Sequence, residues 1–288
     1  MSDDRCVGGS ERLAVNVGLV SGGMDSTVAA HVADDRVDLD MLVYLDTGTG
    51  LEENREYLET LADEIGLQLW TLRTNESYEE KVLEHGFPGP GRHSIMYRSL
   101  KERQLDKLST ICNGNGTSAN LHLWTGVRSS ESERRMAHVD PVKEARRWTW
   151  HAPIHDWTKQ QCRDYINEHG LPENPIWESI NRSGDCFCGA FGNPCEKIDL
   201  RARGYESHAD WINDLEGAVE KALDVPDERV IWGWGALSGV EQRAVAAELD
   251  PAQMPLCSGC GFDLVARTDG GETTAVSTTD NEQSGGSQ

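Results

Sequence analysis

The sequence predicts an α/β protein with a doubly wound, mostly parallel sheet and a small cysteine-rich C-terminal metal module. Three observations lead to this prediction. Short apolar, β-branched runs alternate with amphipathic helical segments, as they do in βαβ units. A Ser-Gly-Gly break separates the first apolar run from the helix that follows it. Most of the eight cysteines fall in two tight groups late in the chain.

The predicted elements follow one another in βα order. The predicted strands occupy residues 13–20, 40–48, 67–74, 121–128 and, as a candidate fifth strand, 150–157. The predicted helices occupy residues 24–33, 51–66, 96–109 and 158–170. A long loop is expected between the third strand and the third helix. Thr158 is the expected N-cap of the last helix and Gly170 its expected C-terminal cap.

The composition indicates four regions along the chain. Residues 13–178 carry the alternating strands and helices, and residues 179–266 carry the clustered cysteines. Residues 1–12 and 267–288 are polar and aperiodic, so they are predicted to be disordered.

The chain is strongly acidic, with a formal net charge of −22 and a pI near 4.7. The carboxylates are dispersed along the chain, as suits a protein in high salt, where self-repulsion is screened. We therefore expect a halophilic source, the alternative being an ordinary acidic enzyme. This charge gives no support for nucleic-acid binding.

No apolar run is long enough to cross a bilayer, and the first residues lack the apolar segment of a signal peptide. We therefore expect a cytoplasmic protein without a membrane partner. Cysteines in such a chain favour metal ligation over disulfides.

The segment SGGMDS, residues 21–26, has the chemistry of a phosphate-binding loop. Gly22 and Gly23 lack a Cβ, so the backbone can turn sharply and let an anion approach. The loop amides and the helix N-terminus add partial positive charge, and Ser21 and Ser26 add hydroxyl donors. Asp25 is expected to bind Mg²⁺ or to cap the helix. The alternative is a plain strand-to-helix turn.

Four stretches resemble known motifs. SGGMDS resembles the SGGxDS loop of the PP-loop ATP pyrophosphatases, and YLDTG resembles the DTG of proteins similar to phosphoadenosine phosphosulfate (PAPS) reductase. GVRSSESERR resembles the GxRxxES motif of the latter family with a trailing arginine, and APIHDW through GLPENPIW resembles a further stretch of it. The resemblance covers residues 13 to 190 and implies a PP-loop, HUP-like fold.

The resemblance and the sheet chemistry together give the candidate site. Ligands of parallel sheets bind at the carboxyl ends of the strands, where Ser21, Asp46 and Arg128 would emerge. The candidate catalytic residues are Asp25, Arg128 and Arg135. The candidate nucleotide-binding residues are Ser21, Gly22, Gly23, Asp25, Ser26, Asp46, Lys101, Gly126, Arg128, Glu131 and Ser132.

Alternatives remain for two parts of this site. Two arginines at a strand end can grip phosphates, with Glu131 orienting one of them, but residues 126–135 can equally form a solvated loop. Lys101 lies in MYRSLK, which resembles a family segment whose cysteine is replaced here by Met96. Lys101 either touches a phosphate or is an ordinary surface lysine.

The cysteine groups predict a metal centre. The candidate ligands are Cys186, Cys188, Cys195, Cys257 and Cys260, which offer five thiolates for four positions. A [4Fe–4S] cluster is slightly favoured and Zn²⁺ is the alternative. Cys6, Cys112 and Cys162 look isolated, and Cys162 is expected to pack in the core.

The most basic stretch, residues 134–150, contains Trp148 and Trp150. Basic and aromatic residues together suit nucleic acid. We favour a loop that closes on the nucleotide and packs its tryptophans in the core. Two later tryptophans, Trp232 and Trp234, are expected to pack between the modules.

Three functions are compatible with these motifs. The first is cleavage of ATP at the α-phosphate, with Mg²⁺, to adenylate an acceptor in sulfur transfer. Its partner would be a sulfur donor protein such as a cysteine desulfurase. The second is PAPS or adenylylsulfate reduction through an unusual cysteine, because the Glu-Cys-Gly-Leu-His motif of such reductases is not found here. The third is non-catalytic binding of nucleotide or nucleic acid.

Overall fold

The structure, a computed structural model, describes residues 14–113, 120–129, 140–180, 183–223 and 227–236. Within these residues six strands form one sheet. The strands are β1 (Val15–Val20), β2 (Met41–Asp46), β3 (Leu69–Arg73), β4 (Leu121–Trp124), β5 (Val142–Glu144) and β6 (Thr149–His151). Their order is β3-β2-β1-β4-β6-β5, and every neighbouring pair is parallel except β5 with β6. The predicted mostly parallel α/β sheet is confirmed.

Helices connect the strands and continue after the sheet. They are α1 (Met24–Val37), α2 (Glu52–Ile65), α3 (Tyr78–His85), α4 (His93–Tyr97), α5 (Arg103–Asn113), α6 (Lys159–His169), α7 (Pro175–Ile180), α8 (Glu196–Ala202) and α9 (Glu206–Ala222). A π-helical segment, Arg98–Glu102, joins α4 to α5. No helix in the described part of the chain has the length and apolar character needed to cross a membrane.

Both faces of the sheet are covered by helices. On one face Val17 of β1 packs with Leu105 of α5. On the other face Leu42 of β2 packs with Ala33 of α1 and Leu58 of α2. Successive side chains of a strand point to opposite faces of the sheet. The continuous apolar runs of β1 and β2 therefore pack against the helices on both faces. The carboxyl ends of β1, β2 and β4 are thereby fixed at one edge.

The last predicted strand is shorter than the sequence pattern indicates. It ends at His151, and residues 152–157 form turns closed by hydrogen bonds from the His155 amide to the Ala152 carbonyl and from the Trp157 amide to the Ile154 carbonyl. Pro153 lacks an amide hydrogen and so does not support a longer ladder. The edge strand β5, which was not predicted from the sequence, is short and exposed.

The predicted long loop after β3 contains a helix. Helix α3 begins at a capping box in which the Ser77 hydroxyl accepts from the Glu80 amide and the Glu80 carboxylate accepts from the Ser77 amide. The caps of α6 are those predicted. Thr158 forms a capping box with Gln161, and Gly170 ends the helix at φ +64°.

The described residues after α7 share one hydrophobic cluster with the loops beside the sheet. Trp232 is fully buried and contacts the rings of Tyr78 and Phe87 edge-on. The Trp234 indole donates to the Phe87 carbonyl at 2.8 Å. Both tryptophans are therefore packed, and their place between two modules stays a prediction. The domain boundary at 178 stays a prediction, and the predicted disordered ends, 1–12 and 267–288, lie outside the described residues.

Candidate functional site

The loop between β1 and α1 is a tight turn held by its own hydroxyl groups. The Ser21 amide donates to Ser26 Oγ at 3.2 Å, and that hydroxyl donates to the Gly23 carbonyl at 2.8 Å. Gly23 is the N-cap residue of α1, and no side chain caps this N-terminus. The first amides of the helix are therefore not covered by a capping side chain, as an anion-binding helix start requires.

Two asparagines and a tryptophan lie behind this loop. The Gly22 carbonyl accepts from Asn174 Nδ2 at 2.9 Å and from the Trp177 indole at 2.7 Å. The Ser21 carbonyl accepts from Asn54 Nδ2 at 3.2 Å. Both asparagine side chains are buried. The backbone of the loop is thus fixed from the side of α2 and α7.

Arg128 lies beside the loop and is paired with Asp25. The Nε–Oδ2 distance is 2.8 Å, and Arg128 is buried. Gly126 permits this approach, since a Cβ there would lie 2.5 Å from the Asp25 carbonyl carbon. Asp25, Gly126 and Arg128, three of the predicted site residues, therefore lie together at the loop, whereas the predicted convergence of Ser21, Asp46 and Arg128 stays a prediction. Asp25 lies in the first turn of α1 and is not its N-cap. Its carboxylate pairs with Arg128, and Mg²⁺ binding by Asp25 stays a prediction.

Cys162 of α6 is fully buried, as expected, and lies near the same ion pair. Burial, together with the nearby Asp25 carboxylate, raises the pKa of its thiol to about 12. At neutral pH the thiol is therefore protonated and hydrogen-bonds to Asp25. A core cysteine thus hydrogen-bonds to the carboxylate that pairs with Arg128.

Asp46, at the end of β2, binds two arginines and a backbone amide. Its Oδ2 lies 2.6 Å from Arg73 Nε and 3.2 Å from Arg55 Nε, and its Oδ1 accepts from the Gly48 amide at 2.8 Å. Stripping the partners from such a buried carboxylate costs about 3–5 kcal/mol. Asp46 therefore fixes the turn after β2, and its contact with a nucleotide stays a prediction.

Lys101 is not an ordinary surface lysine. It lies in the π-helical segment, its side chain is 22% exposed, and Nζ lies 2.9 Å from Asp185 Oδ2. Burial acts to lower its pKa, but the carboxylate of Asp185 and the thiol of Cys186 outweigh burial and raise the pKa. Lys101 is therefore a cation held by Asp185. It lies in a π-helical segment, and such segments often occur at functional positions.

The segment 183–188 runs along the carboxyl edge of the strands. A Cβ added at Gly23 would lie 3.4 Å from Ser183 Cβ. The Gly184 carbonyl accepts from the Leu51 amide at 2.9 Å. The Thr49 hydroxyl contacts Cys186 Sγ at 3.8 Å. The cysteine segment therefore lies between the first loop and the turn after β2.

Two of the predicted metal ligands contact each other. A hydrogen bond with Cys188, assisted by Lys101 and opposed by burial, lowers the pKa of the Cys186 thiol to about 6, whereas the pKa of Cys188 is raised. Cys195 is the N-cap residue of α8.

Across the described parts of the chain, no group of three or more His, Cys, Asp or Glu side chains is placed to hold a metal ion. The described cysteines alone therefore do not fit the predicted centre, and Cys257 and Cys260 lie outside the described residues. The metal centre, whether [4Fe–4S] or Zn²⁺, stays a prediction.

Other predicted site residues also lie outside the described part. These are Glu131, Ser132 and Arg135. Within the described part of the basic stretch, Trp148 and Trp150 pack against the cluster of Leu105 and Leu123, as the favoured interpretation expects. Arg147 pairs with Asp106 at 3.0 Å.

The comparison with protein families gives the identity of the fold. Residues 16–190 match the model described as the phosphoadenosine phosphosulfate reductase domain. The chain belongs to this family. The PAPS reductase family is part of the PP-loop, adenine nucleotide alpha hydrolase-like superfamily, so the resemblance of the SGGMDS loop is confirmed.

Curated relatives carry the same family name. The phosphoadenosine 5′-phosphosulfate reductase of Erwinia tasmaniensis is 26% identical over 185 residues, covering 62% of this chain and 72% of that protein. The one from Serratia proteamaculans is 29% identical over 164 residues, covering 54% of this chain and 62% of that protein. The match thus spans less than two thirds of the Serratia protein.

A solved structure is also similar in part. The phosphoadenylyl-sulfate reductase of Candida auris, crystallised as a phosphate complex, is 18% identical with a TM-score of 0.41. The alignment covers 57% of this chain and 77% of that chain.

The residues behind the loop were not among the predicted site residues. Asn174 and Trp177 lie in GLPENPIW, a stretch used only for its resemblance, and Asn54 lies in an ordinary amphipathic helix. One signal was available for the first two. An Asn before Pro begins a helix, and Trp three residues on shares its face.

Proposed function

We propose that this chain is a sulfonucleotide reductase, which binds PAPS or adenylylsulfate and releases sulfite. The observation that carries the proposal is the PAPS reductase match over residues 16–190, which includes the whole loop, the Arg128 turn and the segment behind them. The names of the curated relatives support an enzyme of this kind.

The described residues suit an anionic ligand at the loop. Gly22 and Gly23 supply close backbone approach, and the helix start after Gly23 supplies partial positive charge. Arg128 and Lys101 add cations, which pair with Asp25 and Asp185 respectively. A sulfonate joined to a phosphate has the charge and size to occupy such a cup.

Reduction of a sulfonucleotide needs a thiolate. The thiolate attacks the sulfonate sulfur, the S–O bond breaks, and the nucleotide leaves with its electron pair. A second thiol then attacks the cysteine sulfur, which releases sulfite and leaves a disulfide for an external dithiol such as thioredoxin to reduce. In this protein the attacking residue would be an unusual cysteine, because the usual Glu-Cys-Gly-Leu-His motif is not found in the sequence.

The test is sulfite release from PAPS and from adenylylsulfate with reduced thioredoxin, measured on anaerobically purified protein. A series of single Cys→Ser variants should contain one that loses at least about 100-fold in rate while retaining any bound metal. Cys112→Ser is the matched control, because Cys112 lies on α5, outside the cysteine segment. No sulfite from either nucleotide would contradict the proposal.

A second candidate function is cleavage of ATP at the α-phosphate to adenylate an acceptor in sulfur transfer. The Ser-Gly-Gly-x-Asp-Ser pattern of the loop, which resembles the pyrophosphate loop of ATP pyrophosphatases, favours it. Positioning by loop amides and Arg128 would supply most of its rate. ATP/pyrophosphate exchange without sulfite release would establish this candidate instead of the reductase.

A further inference from the structure

We infer that Asn174 and Trp177, with Asn54, are positioning residues that aim the amides of the loop at the bound anion. The inference deepens the proposed function and rests on it, because it concerns how the same loop holds the sulfonate end of the nucleotide. None of the three side chains needs to touch the ligand itself.

The carbonyls of the loop accept hydrogen bonds from distant side chains. Three side-chain donors hold them: Asn174 and Trp177 hold the Gly22 carbonyl, and Asn54 holds the Ser21 carbonyl. Trp177 and Asn174 reach the loop from positions 155 and 152 residues distant in the sequence.

The positions of these two carbonyls also determine the directions of the neighbouring amides. In a trans peptide the carbonyl oxygen and the amide hydrogen point in opposite directions. Holding the Ser21 carbonyl therefore turns the Gly22 amide away from Asn54. Holding the Gly22 carbonyl likewise turns the Gly23 amide away from Asn174 and Trp177. The Gly23 amide also lies 3.4 Å from Ser21 Oγ, to which it donates. A bound anion would accept from both amides on the side opposite the three donors.

The asparagine pair fixes its own orientation. The two amide hydrogens of Asn174 are used by the Gly22 carbonyl and by Asn54 Oδ1, at 2.9 and 2.8 Å. Asn174 Oδ1 accepts from the Ile176 amide at 3.0 Å. A flipped side chain would place oxygen against the Gly22 carbonyl, so only one orientation satisfies all partners.

Local sequence delivers both donors together. Asn174 precedes Pro175, which begins α7, and the Trp177 amide donates to the Asn174 carbonyl at 2.9 Å. The Trp177 ring also packs edge-on against Tyr57 at a centroid distance of 5.9 Å. A preorganised donor pair on one helix start loses little freedom when it holds the loop.

The experiment compares the affinities of ADP and adenosine for the full-length chain by isothermal titration calorimetry. The β-phosphate of ADP stands in for the sulfonate, and adenosine lacks both groups that the loop would hold. Asn174→Asp is nearly isosteric and keeps the acceptor for Ile176, but it places oxygen against the Gly22 carbonyl. Trp177→Phe keeps an aromatic ring and removes the indole donor together with part of the ring system, a loss of volume that the Trp157→Phe control shares.

We expect Asn174→Asp to weaken ADP binding about tenfold or more, and Trp177→Phe about threefold to tenfold, with adenosine affinity unchanged. Trp157→Phe is the matched control, because Trp157 packs against the same hydrophobic cluster as Trp177. This control should leave the ratio of ADP to adenosine affinity unchanged. Circular dichroism checks folding, and Trp177→Phe decides the question if Asn174→Asp does not fold.

The outcomes separate this inference from the proposed function. An unchanged affinity ratio in folded Trp177→Phe would overturn the positioning role even if the enzyme releases sulfite. A lowered ratio in a protein that releases no sulfite would support the positioning role and contradict the reductase. If the wild-type chain binds ADP no better than adenosine, both fail.

Discussion

Both the backbone conformation and the packing at position 22 require a glycine. Its φ of +76° lies in the left-handed region, where an L side chain is strained. A Cβ there would also lie 1.9 Å from Asn54 Oδ1. The two demands are independent, because the first concerns the residue itself and the second concerns the side chain that holds the Ser21 carbonyl.

Replacing Gly22 by Ala should therefore cost more than replacing a glycine that has only the first demand. Gly66 is the matched control, since its φ is +81° and no atom lies within 4 Å of an added Cβ. We expect Gly66→Ala to lower the free energy of unfolding by about 1–2 kcal/mol. Gly22→Ala should lower it by about 1–3 kcal/mol more. Urea denaturation measures both, and equal losses would contradict the clash with Asn54.

At the scale of elements, β4 and β6 bring two histidines together at the end of the parallel sheet. His122 Nδ1 and His151 Nε2 lie 2.8 Å apart, and the His151 ring stacks on Trp124 at a centroid distance of 4.3 Å. Burial and the neighbouring His122 lower the pKa of His151. The strand pair therefore favours an uncharged His151.

This pairing predicts a pH dependence of stability. The unfolded chain protonates His151 near pH 6.5, whereas the folded chain does so at lower pH. As pH falls below about 6.5 the unfolded state binds more protons, so the free energy of unfolding decreases. Denaturation at pH 7.5 and 5.5 should show a smaller decrease for His151→Gln than for the wild type. His85→Gln, with a side chain 60% exposed, is the control and should behave as the wild type. Identical decreases in all three proteins would refute this assignment.

At the scale of the whole molecule, the fold carries a net charge of −22. Ion pairs such as Arg128 with Asp25 and Lys101 with Asp185 neutralise charge at the site. The remaining carboxylates repel one another across a compact surface. Screening shortens this repulsion to a range of ~3 Å at 1 M salt.

Thermal stability should consequently rise with salt. We expect the Tm at neutral pH to increase by several degrees between 0.1 and 1 M KCl, as repulsion is screened. The same measurement near pH 4.7, close to the pI, is the control. There the net charge is small and the increase should be much reduced. A Tm that falls with KCl at neutral pH, or rises equally at both pH values, would count against charge repulsion as the cause.

Local sequence was sufficient for much of the fold. The strand, glycine loop and helix around residues 15–37, the capping box at Thr158 and the C-terminal cap at Gly170 were all predictable. Each depends on side-chain period, on backbone freedom or on a hydroxyl within a few residues. Helix α3 had the same local signal, a Ser77–Glu80 capping box, but its few apolar positions did not form a clear period.

By itself the sequence determined an acidic α/β chain with the motifs of the PAPS reductase family and a glycine turn between the first strand and the first helix. Only the tertiary structure decided that Asp25 faces Arg128, that Lys101 pairs with Asp185, and that Asn174 and Trp177 hold the loop. The reason is physical. Period and backbone freedom are properties of neighbouring residues, whereas a contact across about 150 positions depends on strand order and helix packing, which no local pattern records.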